Sequence, residues 1–105
     1  MITLRQYDEA EQHLRRAIDL DPTYTNSRVG LAQVLFLRGK YADALTICEQ
    51  LVKDEPENAG FWLVAGRLCE AMGKFEQAAA AYRHALDLQP DLEEARLRLE
   101  NLQRH

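Results

Sequence analysis

Three prolines constrain this chain more than any other feature. Pro22, Pro56 and Pro90 stand 34 residues apart, each directly preceded by an acid or an amide: Asp21, Glu55 and Gln89. Fifteen residues ahead of each proline an aromatic opens a similar segment, Tyr7-Asp8-Glu9-Ala10, then Tyr41-Ala42-Asp43-Ala44, then Phe75-Glu76-Gln77-Ala78. Proline cannot continue a helix, because it lacks the amide proton and its ring collides with the preceding turn. A break that recurs at fixed distance divides the chain into equal units. Such units bury their apolar faces only by stacking on one another.

Inside the units the apolar spacing is helical. Ala10, Leu14, Ala17 and Ile18, then Ala44, Ile47, Cys48 and Leu51, then Ala78, Ala81, Tyr82 and Ala85 recur at three and four residues. Two of these runs are preceded by others, Arg28-Leu31-Ala32-Leu35 and Trp62-Ala65-Gly66-Cys69, closed by Gly39 and Gly73. Glycine adopts most readily the left-handed conformation that ends a helix. Each full unit is therefore expected to be a helical hairpin. Ala32 and Gly66 on one helix are expected to face Ala44 and Ala78 on the other and let the axes approach closely.

A chain of 105 residues suits one domain. With 47% hydrophobic and 29% charged residues it has material for a core and charge for solubility. The net charge of −4 supplies no excess of cations to displace counterions from a phosphate backbone, so nucleic-acid binding is not expected. No apolar run approaches the roughly 18 residues of a membrane-spanning helix. The opening Met1-Ile2-Thr3-Leu4-Arg5 lacks the layout of a secretory signal. No targeting segment is legible, and the cytoplasm is the default expectation unless a signal was lost from a longer parent.

These residues resemble the tetratricopeptide repeat, a 34-residue helix-turn-helix unit with the pattern W-x₂-L-G-x₂-Y, A-x₃-F, P. Trp62, Ala65, Gly66, Cys69, Ala78, Tyr82 and Pro90 occupy those places in the third copy. Arg28, Leu31, Ala32, Leu35, Ala44, Cys48 and Pro56 do so in the second, with arginine in place of the tryptophan. The resemblance implies an all-α fold, a short right-handed α-solenoid of about two and a half repeats with a C-terminal capping helix. The expected division is 1–24 for the second helix of a truncated repeat, 25–58 and 59–92 for full repeats, and 93–105 for the capping helix. Because the first copy has only its second helix, either the chain is a piece of a longer array or that face meets another chain, including another copy of itself. Asp91 is the expected N-cap of the last helix, with Glu94 three residues on. Leu92, Ala95, Leu99 and Leu102 would face inward, and Glu93, Arg96, Glu100, Gln103 and Arg104 outward.

No catalytic or cofactor chemistry is expected. Cys48 and Cys69 fall at core places and read as reduced thiols. His13, His84 and His105 are scattered surface residues without metal-site spacing, and Ser27 at a helix start reads as capping or solvated. The glycines are isolated rather than gathered into a phosphate-binding loop.

The resemblance further implies that the first helices of successive repeats line a concave groove for a peptide or helix of a partner protein. With Trp62, Gly66 and Cys69 taken as inward, at roughly 100° per residue, the opposite side carries Gly60, Val64, Arg67 and Ala71, flanked by Leu63 and Glu70. The corresponding set in the second copy is Asn26, Val29, Gly30, Gln33, Phe36 and Leu37, and the last helix adds Leu97, Arg98 and Asn101. Val64 and Leu37 are the expected apolar anchors, with Arg67, Gln33 and Arg98 as polar selectors. Family members that grip the C-terminal carboxylate of heat-shock chaperones use two Lys, two Asn and one Arg. The matching places here hold Val29, Gln33, Val64, Glu94 and Arg98, so a chaperone tail is not the expected ligand. The leading expectation is an interaction scaffold with a greasy groove. Alternatives are a regulatory or substrate-presenting arm of a larger enzyme, such as a glycosyl- or sulfotransferase, and a self-associating spacer.

Overall fold

A computed structural model describes residues 3–104, and the expectation for His105 lies outside them. Among the described residues there are six helices and no strand: α1 (Leu4–Leu20), α2 (Thr25–Leu37), α3 (Tyr41–Asp54), α4 (Ala59–Ala71), α5 (Phe75–Leu88) and α6 (Glu93–Gln103). Each helix packs on its sequence neighbour, giving an all-α helical-repeat solenoid about 40 × 28 × 21 Å.

The periodic prolines and glycines make two kinds of turn. Each proline stands second in a turn closed from the fourth residue to the first. The amides of Tyr24, Asn58 and Leu92 donate to the carbonyls of Asp21, Glu55 and Gln89 at 3.2, 3.1 and 3.1 Å, and the fixed φ of proline suits that second place. Within the hairpins the chain reverses at Gly39 and Gly73, whose φ values are +78° and +77°. There Lys40 donates to the Leu35 carbonyl and Lys74 to that of Cys69, both at 2.8 Å, while the two glycine amides reach Phe36 and Glu70 at 3.0 Å. This paired C-terminal cap needs a left-handed residue, and glycine pays no steric cost for it.

Two cap expectations are corrected. Leu92, not Asp91, occupies the cap of α6 and makes no side-chain hydrogen bond there, because Asp91 is used inside the proline turn. Ser27 lies inside the first turn of α2 and is buried, with only 6% of its surface exposed. Two N-termini are capped by side chains: Thr3 and Gln6 form a reciprocal capping box on α1, and Asn58 accepts from the Gly60 amide at 3.0 Å on α4.

Two apolar clusters form the core. One joins Leu31, Leu35, Ala44, Cys48, Ala65, Leu68 and Ala81, and the other Cys69, Ala78, Tyr82, Ala85 and Ala95, with Leu45 and Trp62 packed against both. The close neighbour of Gly66 is Tyr82 rather than the expected Ala78. A Cβ at Gly66 would lie 2.4 Å from a ring carbon of Tyr82, so the absent methyl makes room for the aromatic.

Trp62 is half-buried and works at a seam. Its indole N–H donates to the Pro56 carbonyl at 2.8 Å, and its ring stacks on His84 with centroids 3.9 Å apart. His84 is thus exposed yet engaged. Arg28, one period earlier, replaces this aromatic with a stem and a charge. Its side chain is only 13% exposed and reaches Asp54 of α3 at 2.7 Å.

Helix α1 contributes no fully buried residue. Leu14 and Ile18 pack against the first cluster, and Arg38 at the end of α2 bonds Asp8 at 2.5 Å and Glu11 at 2.6 Å.

Candidate functional site

Helices α2, α4 and α6 are the first members of successive hairpins or, for α6, stand in that place, and side chains link them edge to edge. The Arg67 guanidinium of α4 lies over the Phe36 ring of α2, 5.3 Å from its centre, and Arg67 also approaches Glu94 of α6 at 3.7 Å. The three helices therefore share one face.

On that face a cleft of about 280 Å³ opens between α2 and α4, with α3 as its floor. Val29, Gln33, Phe36 and Leu37 come from α2, and Val64 and Arg67 from α4. The floor is Cys48 and Leu51, with Ala32 and Phe61 completing the walls. The Cys48 thiol donates to the Phe61 carbonyl at 3.3 Å, and burial pushes its pKa up to about 12. It is a neutral lining group at physiological pH. Burial also raises the Cys69 thiol, and both cysteines are free.

Next to the cleft runs an ionic chain. Arg98 bonds Glu94 through Nε at 2.9 Å and lies 3.6 Å from Glu70, which accepts the Tyr82 hydroxyl proton at 2.7 Å. Burial, followed by the adjoining Glu70, raises the pKa of the Tyr82 phenol, so it remains a donor. Against the desolvation that disfavours its charge, Glu94, Tyr82 and Glu70 keep the Arg98 guanidinium cationic.

Of the fifteen residues read from the sequence as groove-lining, the cleft thus gathers Val29, Gln33, Phe36, Leu37, Val64 and Arg67. Glu70 and Arg98 belong to the ionic chain instead. Leu63 packs into the second core cluster, and Leu97 is 49% exposed on α6. Gly60, Ala71 and Asn101 are exposed outside the cleft lining, and the Asn26 amide donates to the Tyr24 hydroxyl at 3.3 Å. Gly30 faces away from the cleft: a Cβ there would meet Leu14 of α1 at 3.1 Å. Phe61, Cys48, Leu51 and Ala32 were not among the expected lining. The spacing of Phe61 and Val64, three apart on α4, is the signal that could have found the first of them.

Comparison with known proteins decides the family. A family model described as anaphase-promoting complex, cyclosome, subunit 3 matches residues 3–85. The chain belongs to this tetratricopeptide-repeat family. The likeness extends to solved tetratricopeptide domains: the first such domain of Spaghetti (RPAP3) bound to the HSP90 peptide SRMEEVD is 26% identical, with a TM-score of 0.87 over 94% of this chain and 79% of that one. YrrB, described as a TPR protein with an unusual peptide-binding site, is 27% identical with a TM-score of 0.81, over 88% of this chain and 47% of its own. The mouse (Mus musculus) tetratricopeptide repeat protein 21A is 29% identical over 87 residues, 80% of this chain. The chain spans 6% of that relative's length. In this tetratricopeptide array Arg67 and Arg98 both lie against Glu94, Arg98 also lies near Glu70, and Val29 and Val64 line the cleft on the same side as Arg67.

Proposed function

We propose that this chain is a protein-interaction module that seats a segment of a partner polypeptide in the cleft between α2 and α4. The observation that carries the reading is the cleft itself. Its walls are mainly apolar with Gln33 and Arg67 as the polar groups, it lies on the face formed by the first helices, and Leu37 in its wall is 53% exposed. Apolar surface left open to water in this way marks a contact for another molecule. The peptide complex of the RPAP3 domain and the peptide-binding site named for YrrB support the same use of the fold here.

Val64→Arg tests the reading, because it sets a charge in the cleft wall at a half-buried residue that lies at the edge of the first core cluster. Partner proteins retained by the wild-type chain from a cell lysate are expected to be lost by the variant, while circular dichroism reports the same helicity. Equal retention by both chains would refute the cleft as the working site.

A second reading follows from length. The chain spans a small part of the mouse relative, which favours a repeat arm that presents partners to a larger protein. Deleting residues 1–105 from such a parent would then remove partner capture and spare any activity housed elsewhere.

A further inference from the structure

We propose that the segment seated in this cleft is uncharged and apolar, and that acidic tails are excluded from it. This rests on the cleft reading above and adds the chemistry of the occupant.

Charge on the face is already balanced. Arg67 and Arg98 are matched by Glu70 and Glu94 through the ionic chain across α4 and α6. An incoming carboxylate would compete with Glu94 for Arg67 and with Glu94 and Glu70 for Arg98, and an incoming cation would compete with those arginines. Nor does a neighbouring arginine help, since Arg38, directly after Leu37, is turned to Asp8 and Glu11 of α1. Because the cations and carboxylates of this face balance, a charged group entering the cleft loses its hydration and gains only a partner that is already shared.

Size and lining favour apolar side chains. An apolar cavity of about 150 Å³ is enough for a benzene ring, so the cleft of about 280 Å³ holds one large aromatic side chain or two aliphatic ones. Val29, Phe36, Leu37 and Val64 supply the contacts, and Leu51 and the neutral Cys48 thiol close the bottom. The RPAP3 domain was solved with a peptide rich in acids, SRMEEVD. The balanced face found here is suited to the opposite kind of ligand.

Two synthetic peptides of equal length and equal leucine and phenylalanine content separate the possibilities. One carries Gln and Ser at its remaining places with both ends blocked, and the other carries Glu and Asp with a free C-terminal carboxylate. Titration of the full chain, followed by the methyl resonances of Val29, Leu37 and Val64, is expected to show the neutral peptide binding at least about tenfold tighter. Its affinity should change less than about twofold between about 0.05 and 0.5 M NaCl. Glu94→Gln, which removes the carboxylate that Arg67 and Arg98 share, is expected to improve binding of the acidic peptide by about tenfold. If the acidic peptide binds the wild-type chain as well as the neutral one and moves the same methyls, the neutral-segment inference falls and the cleft reading stands. No gain for the acidic peptide in Glu94→Gln would overturn the claim that the ionic chain performs the exclusion. If neither peptide moves those methyls in the folded chain, the cleft reading fails and the inference falls with it.

Discussion

Gly66 and Tyr82 make one interlocked pair: a side chain removed from α4 is replaced by an aromatic ring from α5. The ring is fully buried and its hydroxyl is committed to Glu70, so it has no room to retreat from a new methyl. Gly66→Ala is therefore expected to destabilise the fold by about 1–3 kcal/mol, despite the better helix propensity of alanine. Urea unfolding followed by circular dichroism checks this, and an unchanged or raised midpoint would contradict the contact. The sequence pattern announced a small residue at 66 but not what it accommodates. Size alone cannot tell which of several large side chains on the next helix fills the space.

At the scale of helices, α1 is held differently from the rest. It has no fully buried residue and depends on Leu14, Ile18 and a charge cluster around Glu11. Glu11 is 14% exposed and bonds Arg38 at 2.6 Å, Arg15 at 3.1 Å and Lys40 at 3.3 Å. Desolvation pushes its carboxyl upward, but the hydrogen bonds from Arg15 and Lys40 outweigh it and hold the pKa below the ordinary 4.5. A carboxylate with a lowered folded pKa contributes stability that is complete above its unfolded value and is lost as pH falls through the folded one. The difference in Tm between wild type and Glu11→Gln is thus expected to be largest near pH 7 and to close as pH falls below the ordinary carboxylate value of 4.5 and through the lowered one. A gap that stays constant over that range would show that the ion pairs do not fasten α1. Helix positions were legible in the prolines and glycines because backbone chemistry ends a helix locally. Which face each residue presents was less so: roughly 100° per residue describes a helix alone, whereas α1 lying across α2 decided that Gly30 faces Leu14. Likewise, the pairing of Arg67 with Phe36 and Glu94 depends on the spacing of three helices, which no single periodic run encodes.

At the scale of the molecule, Leu45 and Trp62 are, among the described residues, the two side chains packed against both core clusters. In a stacked array, stability is the sum of unit and neighbour-interface terms, so these contacts make the two halves unfold together. Leu45→Ala is expected to cost about 2 kcal/mol and to part the transitions. Urea titration followed residue by residue, with Leu31 and Leu35 reporting the first cluster and Ala85 and Ala95 the second, should then give different midpoints. Coincident curves would mean that coupling runs through other contacts.

The Gly66–Tyr82 pair also bears on how such an array can grow. One period earlier the corresponding residues are Ala32 and Cys48, so the bulk is shared differently between the partner helices. An Ala32-bearing helix set against Tyr82 would bring its Cβ into the ring, as a methyl at Gly66 does. A Gly66-bearing helix set against Cys48 would leave a void. Single helices are therefore not interchangeable between repeats. The hairpin is the smallest piece that duplication or recombination can move without breaking the fit.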